Sequence, residues 1–254
     1  MSVRAIKSAE RTLALFELFS VRESRLTVGE AARELGIPQP SASMLLRYLA
    51  DLGYLDYQRA TRTFGPTIRV LLLGSWISQR FREAGGLATS LEEFQQAIGG
   101  ETVFFAIQNG PALQYIASIE TERPGKLRVS AGMLRTLTCS AGGRALLSTK
   151  SDEEVRGWLR RCNAEAKEER LRVRDGEFMR LMQRVRAQGY ATTEGDSIPG
   201  VSAIAAPMPS PLGDMALALG AGGPSKRIAE KRETIIAALK RIKTRSELGA
   251  AAKP

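Results

Sequence analysis

Two short amphipathic segments joined by a glycine turn constrain the fold of this chain more than any other feature. Thr27 and Glu30 have the spacing of a capping box, in which each side chain satisfies the other residue's free backbone amide. Residues 28–35 then carry apolar side chains at helical spacing, and Gly36 is suited to ending the helix. A further helix is expected to begin near Pro40. The pair predicts a helix-turn-helix, although an ordinary helical hairpin would fit these two segments alone.

The flanking residues favour the helix-turn-helix. Residues 4–20 are predicted to form an amphipathic helix. The apolar stripe of this helix consists of Ile6, Ala9, Leu13 and Phe16. Beyond residue 53, a short alternating segment is followed by a polar turn containing Arg59 and Arg62 and by a return at Thr63-Phe64. This pattern predicts a β-hairpin whose cationic tip, a wing, is suited to phosphates or a minor groove.

The segment from Thr67 to Phe81 is predicted to be one helix with two apolar stripes. One stripe consists of Val70, Leu73, Ile77 and Phe81, and the other of Ile68, Leu72 and Trp76. Because a short helix that is apolar on two faces has to bury both, one face is expected to pack on its own chain and the other on a partner subunit. A helix buried within one large domain is the alternative. Ala84-Gly85-Gly86 predict a hinge directly after this helix.

The rest of the chain alternates between predicted helices and strands. Asn109-Gly110 is a strong hairpin signal between two strand-like runs. Strands are predicted at 102–108, 113–119, 127–131, 190–193, 202–206 and 215–219. Helices are predicted over 87–98, after Ser140, after the capping box Ser151–Glu154, around 178–185 up to Gly189, and as one last helix through Ile228, Ile235, Leu239 and Ile242. Helices around a largely antiparallel sheet are typical of an α+β sensor domain.

Composition disfavours catalysis and metal binding. The chain has no histidine, and its two cysteines, Cys139 and Cys162, lie far apart in the sequence. Histidine is the residue most often used for acid–base chemistry near neutral pH, and it is the commonest zinc ligand. The motifs of serine hydrolases, P-loop proteins and dinucleotide-binding folds are also missing from the sequence. We therefore expect no enzyme activity, no cofactor and no metal, and a small-molecule enzyme with an accessory DNA-binding-like domain is only an alternative.

The net charge of +10 indicates a polyanionic partner. Residues 1–83 carry +4 of it and the remainder +6, so charge does not locate the contact. The mixed-sign stretch 156–186 is interpreted as a solvated surface. A nucleoid or RNA-binding protein would explain the charge but would leave the C-terminal domain without a role. Because the sequence has neither a 20-residue apolar run nor a signal-peptide pattern, a cytoplasmic protein without membrane contact is expected.

Taken together, the chain resembles the IclR family of bacterial transcription regulators. The N-terminal resemblance rests on LTVGEAARELGIPQPSASMLLRYLADLGYLDY and TRTFGPTIRVLLLG, and the C-terminal one on CSAGGRALLS and GYATTEGDSIPGVSAIAAPMPSPLGDMALALGAGGP. The resemblance implies a winged helix-turn-helix (residues 1–65), a linker and dimerisation helix (66–84) and a GAF-like effector-binding domain (85–247). Residues 248–254 are expected to form a flexible tail. The resemblance also implies dimers, often paired into tetramers, on double-stranded operator DNA.

The candidate DNA-binding residues lie on the second helix of the pair and in the wing. They are Gln39, Pro40, Ser41, Ser43, Met44, Arg47 and Tyr48, with Arg59, Thr61 and Arg62 in the wing. Hydroxyl and amide groups near a helix N-terminus suit base edges and phosphates, Met44 suits a thymine methyl group, and Arg47 suits either guanine or a phosphate. Family members usually have a basic or ring-bearing pair where this chain has Ser43 and Met44. The operator sequence therefore does not follow from the resemblance.

The candidate effector site is centred on Ser140-Ala141-Gly142-Gly143, which is predicted to lead into a helix. Unpaired amides at its N-terminus would suit a carboxylate, although the glycines could merely allow close packing. With the residues that the resemblance adds, the effector-binding set is Met133, Leu137, Ser140, Ala141, Gly142, Glu194, Ala203 and Gly220. Small residues at 203 and 220 are expected to leave volume for an organic acid with a hydrophobic or aromatic body. Many relatives have cysteine where this chain has Ala203, so no thiol is expected there.

Overall fold

The chain divides into two compact units, Met1–Gln79 and Arg80–Pro254. The computed structural model describes residues 6–83, 87–124, 127–210 and 213–251. Within these residues, no helix combines the length and the apolar character needed to cross a membrane. Each unit is described by itself below.

The first unit begins with three helices followed by a two-stranded hairpin. The helices are α1 (Lys7–Arg22), α2 (Val28–Leu35) and α3 (Gln39–Asp51). Strand β1 (Leu55–Gln58) pairs antiparallel with β2 (Thr63–Pro66). The predicted winged helix-turn-helix is therefore confirmed.

The capping box and the helix end predicted between α1 and α3 are both present. The Thr27 hydroxyl accepts from the Glu30 amide, and the Glu30 carboxylate accepts from the Thr27 amide at 2.8 Å. Hydrogen bonds from the Thr27 amide and the Thr27 hydroxyl to this carboxylate lower the pKa of Glu30. Gly36 ends α2 with φ of 62°, in the left-handed region that glycine adopts without strain. The turn between the two helices is thus specified by residues that act locally.

The core of this unit corrects the prediction for α1. Leu15 and Phe19 are the buried residues of this helix, and they pack with Leu46 and Phe64. Members of the predicted stripe lie elsewhere: Ile6, Ala9 and Leu13 are exposed and Phe16 is half-buried. Helix α1 carries two apolar stripes, and periodicity alone does not show which of them faces the chain's own core.

The predicted linker helix is interrupted. It forms α4 (Ile68–Leu73) and α5 (Ser75–Glu83), with Gly74 between them. The Gly74 amide donates to the carbonyls of Leu71 and Leu72, which ends α4. Glycine costs about 1 kcal/mol relative to alanine inside a helix, which favours a break at this position. The predicted hinge at 84–86 lies outside the described residues.

The linker also leaves apolar side chains uncovered. Five of them are more than half exposed, namely Ile68, Leu71, Leu72, Leu73 and Trp76. Val70 and Ile77, both from the stripe that also contains Leu73, are half-buried. A helix buried inside one large domain is therefore wrong for this segment.

The second unit is built on one six-stranded antiparallel sheet, which confirms the α+β class. Its order along the sheet is β5-β4-β3-β8-β7-β6. The strands are β3 (Thr102–Asn109), β4 (Ala112–Ile119), β5 (Leu134–Thr136), β6 (Ala191–Glu194), β7 (Val201–Ser210) and β8 (Gly213–Pro224).

Helices cover both faces of this sheet. They are α6 (Leu87–Ala97), α7 (Ala141–Leu147), α8 (Asp152–Glu165), α9 (Asp175–Gln188), α10 (Ser225–Glu230) and α11 (Arg232–Ala251). One buried core joins α7, α8 and α9 to the sheet and includes Ala145 and Phe178. The other joins α6, α10 and α11 to the opposite face and includes Phe94 and Leu239. The predicted capping box at Ser151 and the helix stop at Gly189 are confirmed.

Residues 127–131 do not form the predicted strand. Leu127 and Val129 are buried, which explains the strand-like alternation. Their backbone groups, however, bond to side chains instead of to a sheet neighbour. Thr102 Oγ1 donates to the Leu127 carbonyl, and the Val129 amide donates to the Glu120 carboxylate at 2.9 Å.

The last predicted helix is also interrupted, at Lys231 between α10 and α11. Ile228 therefore lies on α10, whereas Ile235, Leu239 and Ile242 lie on α11. Of the predicted tail, residues 248–251 belong to α11, and 252–254 lie outside the described residues.

Candidate functional site

Helix α3 buries one face and exposes the face predicted from the sequence. Ala42, Leu46 and Leu49 are buried, whereas Met44 is 70% exposed and Tyr48 61% exposed. Of the other candidates, Gln39, Pro40 and Arg47 are exposed, and Ser41 and Ser43 are half-buried. Helix α3 has no acidic residue in its first turn, so its positive N-terminal end is not offset locally.

A shallow groove runs along this face. It is lined by Pro40, Ser43, Met44, Arg47, Tyr48 and Asp51. All but Asp51 belong to the predicted DNA-binding set. The acidic Asp51 lies in the last turn of α3, where it would disfavour a phosphate near that end of the groove.

The wing presents two arginines at its tip. Arg59 and Arg62 are exposed, and among the described residues no ion pair engages either of them or Arg47. Arg62 has φ of 55°, in the left-handed region that non-glycine residues seldom occupy.

The third wing candidate, Thr61, is engaged inside the wing. Its hydroxyl donates to Gln58 Oε1 at 3.0 Å and lies 2.7 Å from the Thr63 hydroxyl. Thr61 therefore shapes the turn that carries the two arginines.

In the second unit, most candidate effector residues meet on the face of the sheet that α7 covers. Leu137 and Ala141 belong to the buried core there, and Met133 and Ala203 pack against it. Met133 adjoins β4, since its carbonyl accepts from the Tyr115 amide. Glu194, in contrast, is exposed at the end of β6, and its amide bonds to Asp196.

The N-terminus of α7 is tightly packed. The Ser140 hydroxyl accepts from the Gly143 amide at 3.2 Å and caps the helix. A Cβ added to Gly142 would lie 3.1 Å from the Leu113 side chain, and one added to Gly143 would lie 1.9 Å from the Leu137 carbonyl. Both glycines therefore allow close packing, which was the alternative interpretation of this loop.

The expectation that Gly220 leaves volume for a ligand needs correction. A Cβ at this position would lie 2.5 Å from Phe104 Cζ, so the Phe104 ring already occupies that space. Phe104 in turn packs edge-on against Tyr115, with ring centroids 5.0 Å apart. Burial raises the pKa of Tyr115.

Sequence reasoning missed a buried arginine beside the candidate effector residues. Arg144 on α7 donates to the carbonyls of Thr138 and Thr192 and to the Asp196 carboxylate at 2.9 Å. It thereby ties α7 to β6 and to the loop that follows β6. Its only signal in the sequence was its place in the CSAGGRALLS segment.

Comparisons with known proteins agree for both units. Residues 8–59 match the IclR helix-turn-helix domain, and residues 86–245 match the bacterial transcriptional regulator IclR C-terminal domain. The Pca regulon regulatory protein of Pseudomonas putida is 28% identical over 216 residues, which cover 84% of this chain and 72% of that protein.

Solved structures share the fold. An IclR transcriptional regulator from Alicyclobacillus acidocaldarius has a TM-score of 0.79 at 23% identity, with 98% of this chain and 99% of that chain covered. An IclR homolog from Microbacterium hydrocarbonoxydans, solved with 4-hydroxybenzoate, has a TM-score of 0.75 at 18% identity, with 95% and 99% covered.

The two family matches together span most of the chain and coincide with its winged helix-turn-helix and its six-stranded α+β domain. They also confirm that this is a regulator and not an enzyme. The chain belongs to the IclR family of bacterial transcriptional regulators.

Proposed function

We propose that this regulator binds operator DNA as a dimer, through α3 and the β1–β2 wing, and that a small carboxylic or aromatic acid alters its affinity for DNA. The observation that carries the proposal is the exposed face of α3 together with three arginines, Arg47, Arg59 and Arg62, that no described carboxylate neutralises. Chromosomal DNA as the partner implies that the protein acts in the cytoplasm.

The chemistry of the α3 face suits base reading in the major groove. Gln39, Ser41 and Ser43 offer hydrogen-bonding groups near the helix N-terminus, and Met44 offers an apolar contact for a thymine methyl group. Arg47 is suited to a bidentate contact with guanine. Arg59 and Arg62 would contact phosphates or the minor groove and supply affinity without sequence preference.

The uncovered apolar residues of α4 and α5 support a dimer. Leu71 and Leu72, for example, are each more than half exposed in the single chain. A second copy that covers this surface would bring two winged helix-turn-helix units onto one duplex. Two units are needed because one recognition helix alone covers too few base pairs for useful specificity. The further pairing of two dimers into a tetramer is supported by the family resemblance alone.

The effector proposal rests on the face of the sheet beneath α7. Leu137 and Ala141 belong to the apolar core there, and Met133 and Ala203 pack against that core. The homolog from Microbacterium hydrocarbonoxydans was solved with an aromatic acid. Because Phe104 fills the space at Gly220, we expect an acid to reach this core at a half-buried position such as Ala203 on β7. Met133, Ser140, Gly142 and Glu194 stay in the proposed set, whereas Gly220 is left out because Phe104 occupies its space.

A thermal-shift screen with small carboxylic and aromatic acids, 4-hydroxybenzoate among them, tests the effector proposal. A ligand that binds the folded state raises the apparent melting temperature. Ala203→Trp, which would place a large ring at this half-buried position, should abolish the shift, while Leu134→Ala at an exposed position should keep it. If the tryptophan variant shifted like the wild type, the acid would bind elsewhere.

The wing is tested by combining Arg59→Ala with Arg62→Gly. Glycine accepts the left-handed backbone at position 62, so the variant removes charge without adding strain. We expect weaker binding to all duplexes alike and a salt dependence flattened by about one to two units of slope. Arg47→Ala should instead change the preferred sequence. Unchanged affinity of the wing variant at physiological salt would contradict the assignment.

A further inference from the structure

One arginine outside the proposed DNA-contact set lies across the polar face of the wing. Arg25 precedes the residue that extends the hairpin, since Leu26 and Phe64 exchange backbone hydrogen bonds. Its NH1 group donates to Asp56 Oδ1 at 3.0 Å, and NH2 lies 2.9 Å from Asp56 Oδ2. A planar guanidinium and a carboxylate thus meet in the two-point geometry that arginine favours.

The same guanidinium bridges both strands of the hairpin. NH2 donates to the Asp56 carbonyl on β1 at 3.0 Å and to the Thr63 carbonyl on β2 at 3.1 Å. Nε donates to the Thr63 hydroxyl at 3.1 Å. Because these bonds use most of its guanidinium N–H groups within the winged helix-turn-helix, Arg25 has little capacity left to donate to a DNA phosphate.

Hydrogen bonds continue from Arg25 to the wing tip. Thr63 accepts from Arg25 Nε, its hydroxyl lies 2.7 Å from that of Thr61, and Thr61 donates to Gln58. If Thr63 donates to Thr61, every hydroxyl hydrogen in this chain of bonds has an acceptor, which favours one arrangement of the turn. That turn carries Arg59 and Arg62.

Gly65 is fitted to this arrangement. A Cβ at position 65 would lie 2.6 Å from Arg25 NH1 and 3.0 Å from its Cζ. The absence of a side chain there lets the guanidinium lie flat on the hairpin. An alanine would displace the flexible end of Arg25 and leave the arginine in the sequence.

We propose that Arg25 is a positioning residue for the wing, which holds Arg59 and Arg62 in the place from which they contact DNA. The inference rests on the proposed function and extends it to a residue that does not itself contact the duplex. Its effect on DNA affinity therefore passes through the two wing arginines.

A double-mutant cycle tests the proposal with full-length protein and a duplex that the wild type selects from a random-sequence pool. Arg25→Ala should weaken binding about fivefold, and it should add less than about twofold when Arg59→Ala and Arg62→Gly are already present, because coupled residues are not additive. Gly65→Ala should weaken binding like Arg25→Ala. Gly29→Ala, whose Cβ would meet nothing within 4 Å, is the matched control and should bind like the wild type.

The outcomes distinguish the role of Arg25 from DNA contact by the wing itself. Equal losses from Arg25→Ala in both backgrounds, or wild-type binding by Arg25→Ala and Gly65→Ala, would overturn the role of Arg25 and leave the proposed function intact. If the wing variant itself bound like the wild type, the wing would not contact DNA, and the role of Arg25 would fall with it. Should Arg25→Ala not fold, as far-UV circular dichroism would show, Gly65→Ala carries the test.

Discussion

Glu101 is the most deeply buried charge among the described residues, with a side chain that is 0% exposed. Lys231 lies 2.9 Å from one carboxylate oxygen and Arg227 lies 3.1 Å from the other, and Arg123 is 3.5 Å away. Burial raises the pKa of Glu101, but hydrogen bonds and charges from Lys231 and then Arg227 outweigh it, so the pKa lies below its ordinary value of 4.5. This cluster joins the start of β3 to α10 and to the residue that separates α10 from α11.

The direction of this pKa shift predicts how stability depends on pH. Since the carboxylate is favoured in the folded state, its stabilisation is complete above pH 4.5 and is lost as pH falls through the lower folded-state pKa. Glu101→Gln should destabilise the protein at neutral pH by about 3 kcal/mol, because three cations then surround a neutral group. The variant should also lack the part of the stability loss at acidic pH that comes from protonation of Glu101.

Denaturant unfolding of both proteins between pH 3 and 7 measures this effect. Glu93→Gln is the control, because the Glu93–Arg245 pair is exposed on both sides and such pairs contribute at most about 1 kcal/mol. Equal stability of Glu101→Gln and wild type at pH 7 would contradict this view of the cluster.

At the scale of single elements, α7 shows how closely a helix can be fitted to a sheet. A Cβ at Gly143 would meet the Leu137 carbonyl at 1.9 Å, whereas one at Gly157 within α8 would meet nothing within 4 Å. Gly143→Ala should therefore destabilise the effector domain by about 1–3 kcal/mol or more. Gly157→Ala should stabilise it by up to about 1 kcal/mol, since alanine is the better helix former. Thermal unfolding distinguishes the two, and similar melting temperatures would contradict the packing described for α7.

Elements whose limits depend on local chemistry could be predicted from the sequence. The capping boxes at Thr27 and Ser151 and the stops at Gly36 and Gly189 act within a few residues, and all four formed as expected. Periodicity failed where tertiary partners decide. Residues 127–131 alternate like a strand, but side chains satisfy their backbone groups.

The residues of the candidate sites likewise divide into those fixed by local structure and those fixed by contacts between distant segments. The exposed face of α3 followed from its buried stripe of Ala42, Leu46 and Leu49, because a helix fixes which residues are opposite one another. Contacts between distant segments could not be foreseen. Neither the Phe104 ring over Gly220 nor Arg25 across the wing has a signal in local sequence spacing.

At the scale of the whole molecule, the proposed dimer makes the linker testable. Ile68→Glu combined with Leu72→Glu changes two exposed side chains, so the folded single chain should keep its stability within about 0.5 kcal/mol. Charges in an apolar interface should nevertheless disfavour pairing. We expect sedimentation to show a shift from dimer to monomer, together with weaker DNA binding.

Leu134→Glu is the control for the linker variant, since Leu134 is half exposed on β5, away from the linker sequence. It should leave both assembly and DNA binding unchanged. A linker variant that remained dimeric would place the interface on another surface.

We expect the winged helix-turn-helix, α1 to β2, to read DNA sequence. Hydroxyl-radical footprinting on a duplex selected from a random pool by the wild-type protein tests it most directly. We predict an inverted repeat with protected half-sites about 34 Å apart, or a multiple of that distance, and an altered selected sequence for Arg47→Ala. Selection that enriches no sequence, or one isolated asymmetric footprint that Arg47→Ala leaves unchanged, would contradict the account.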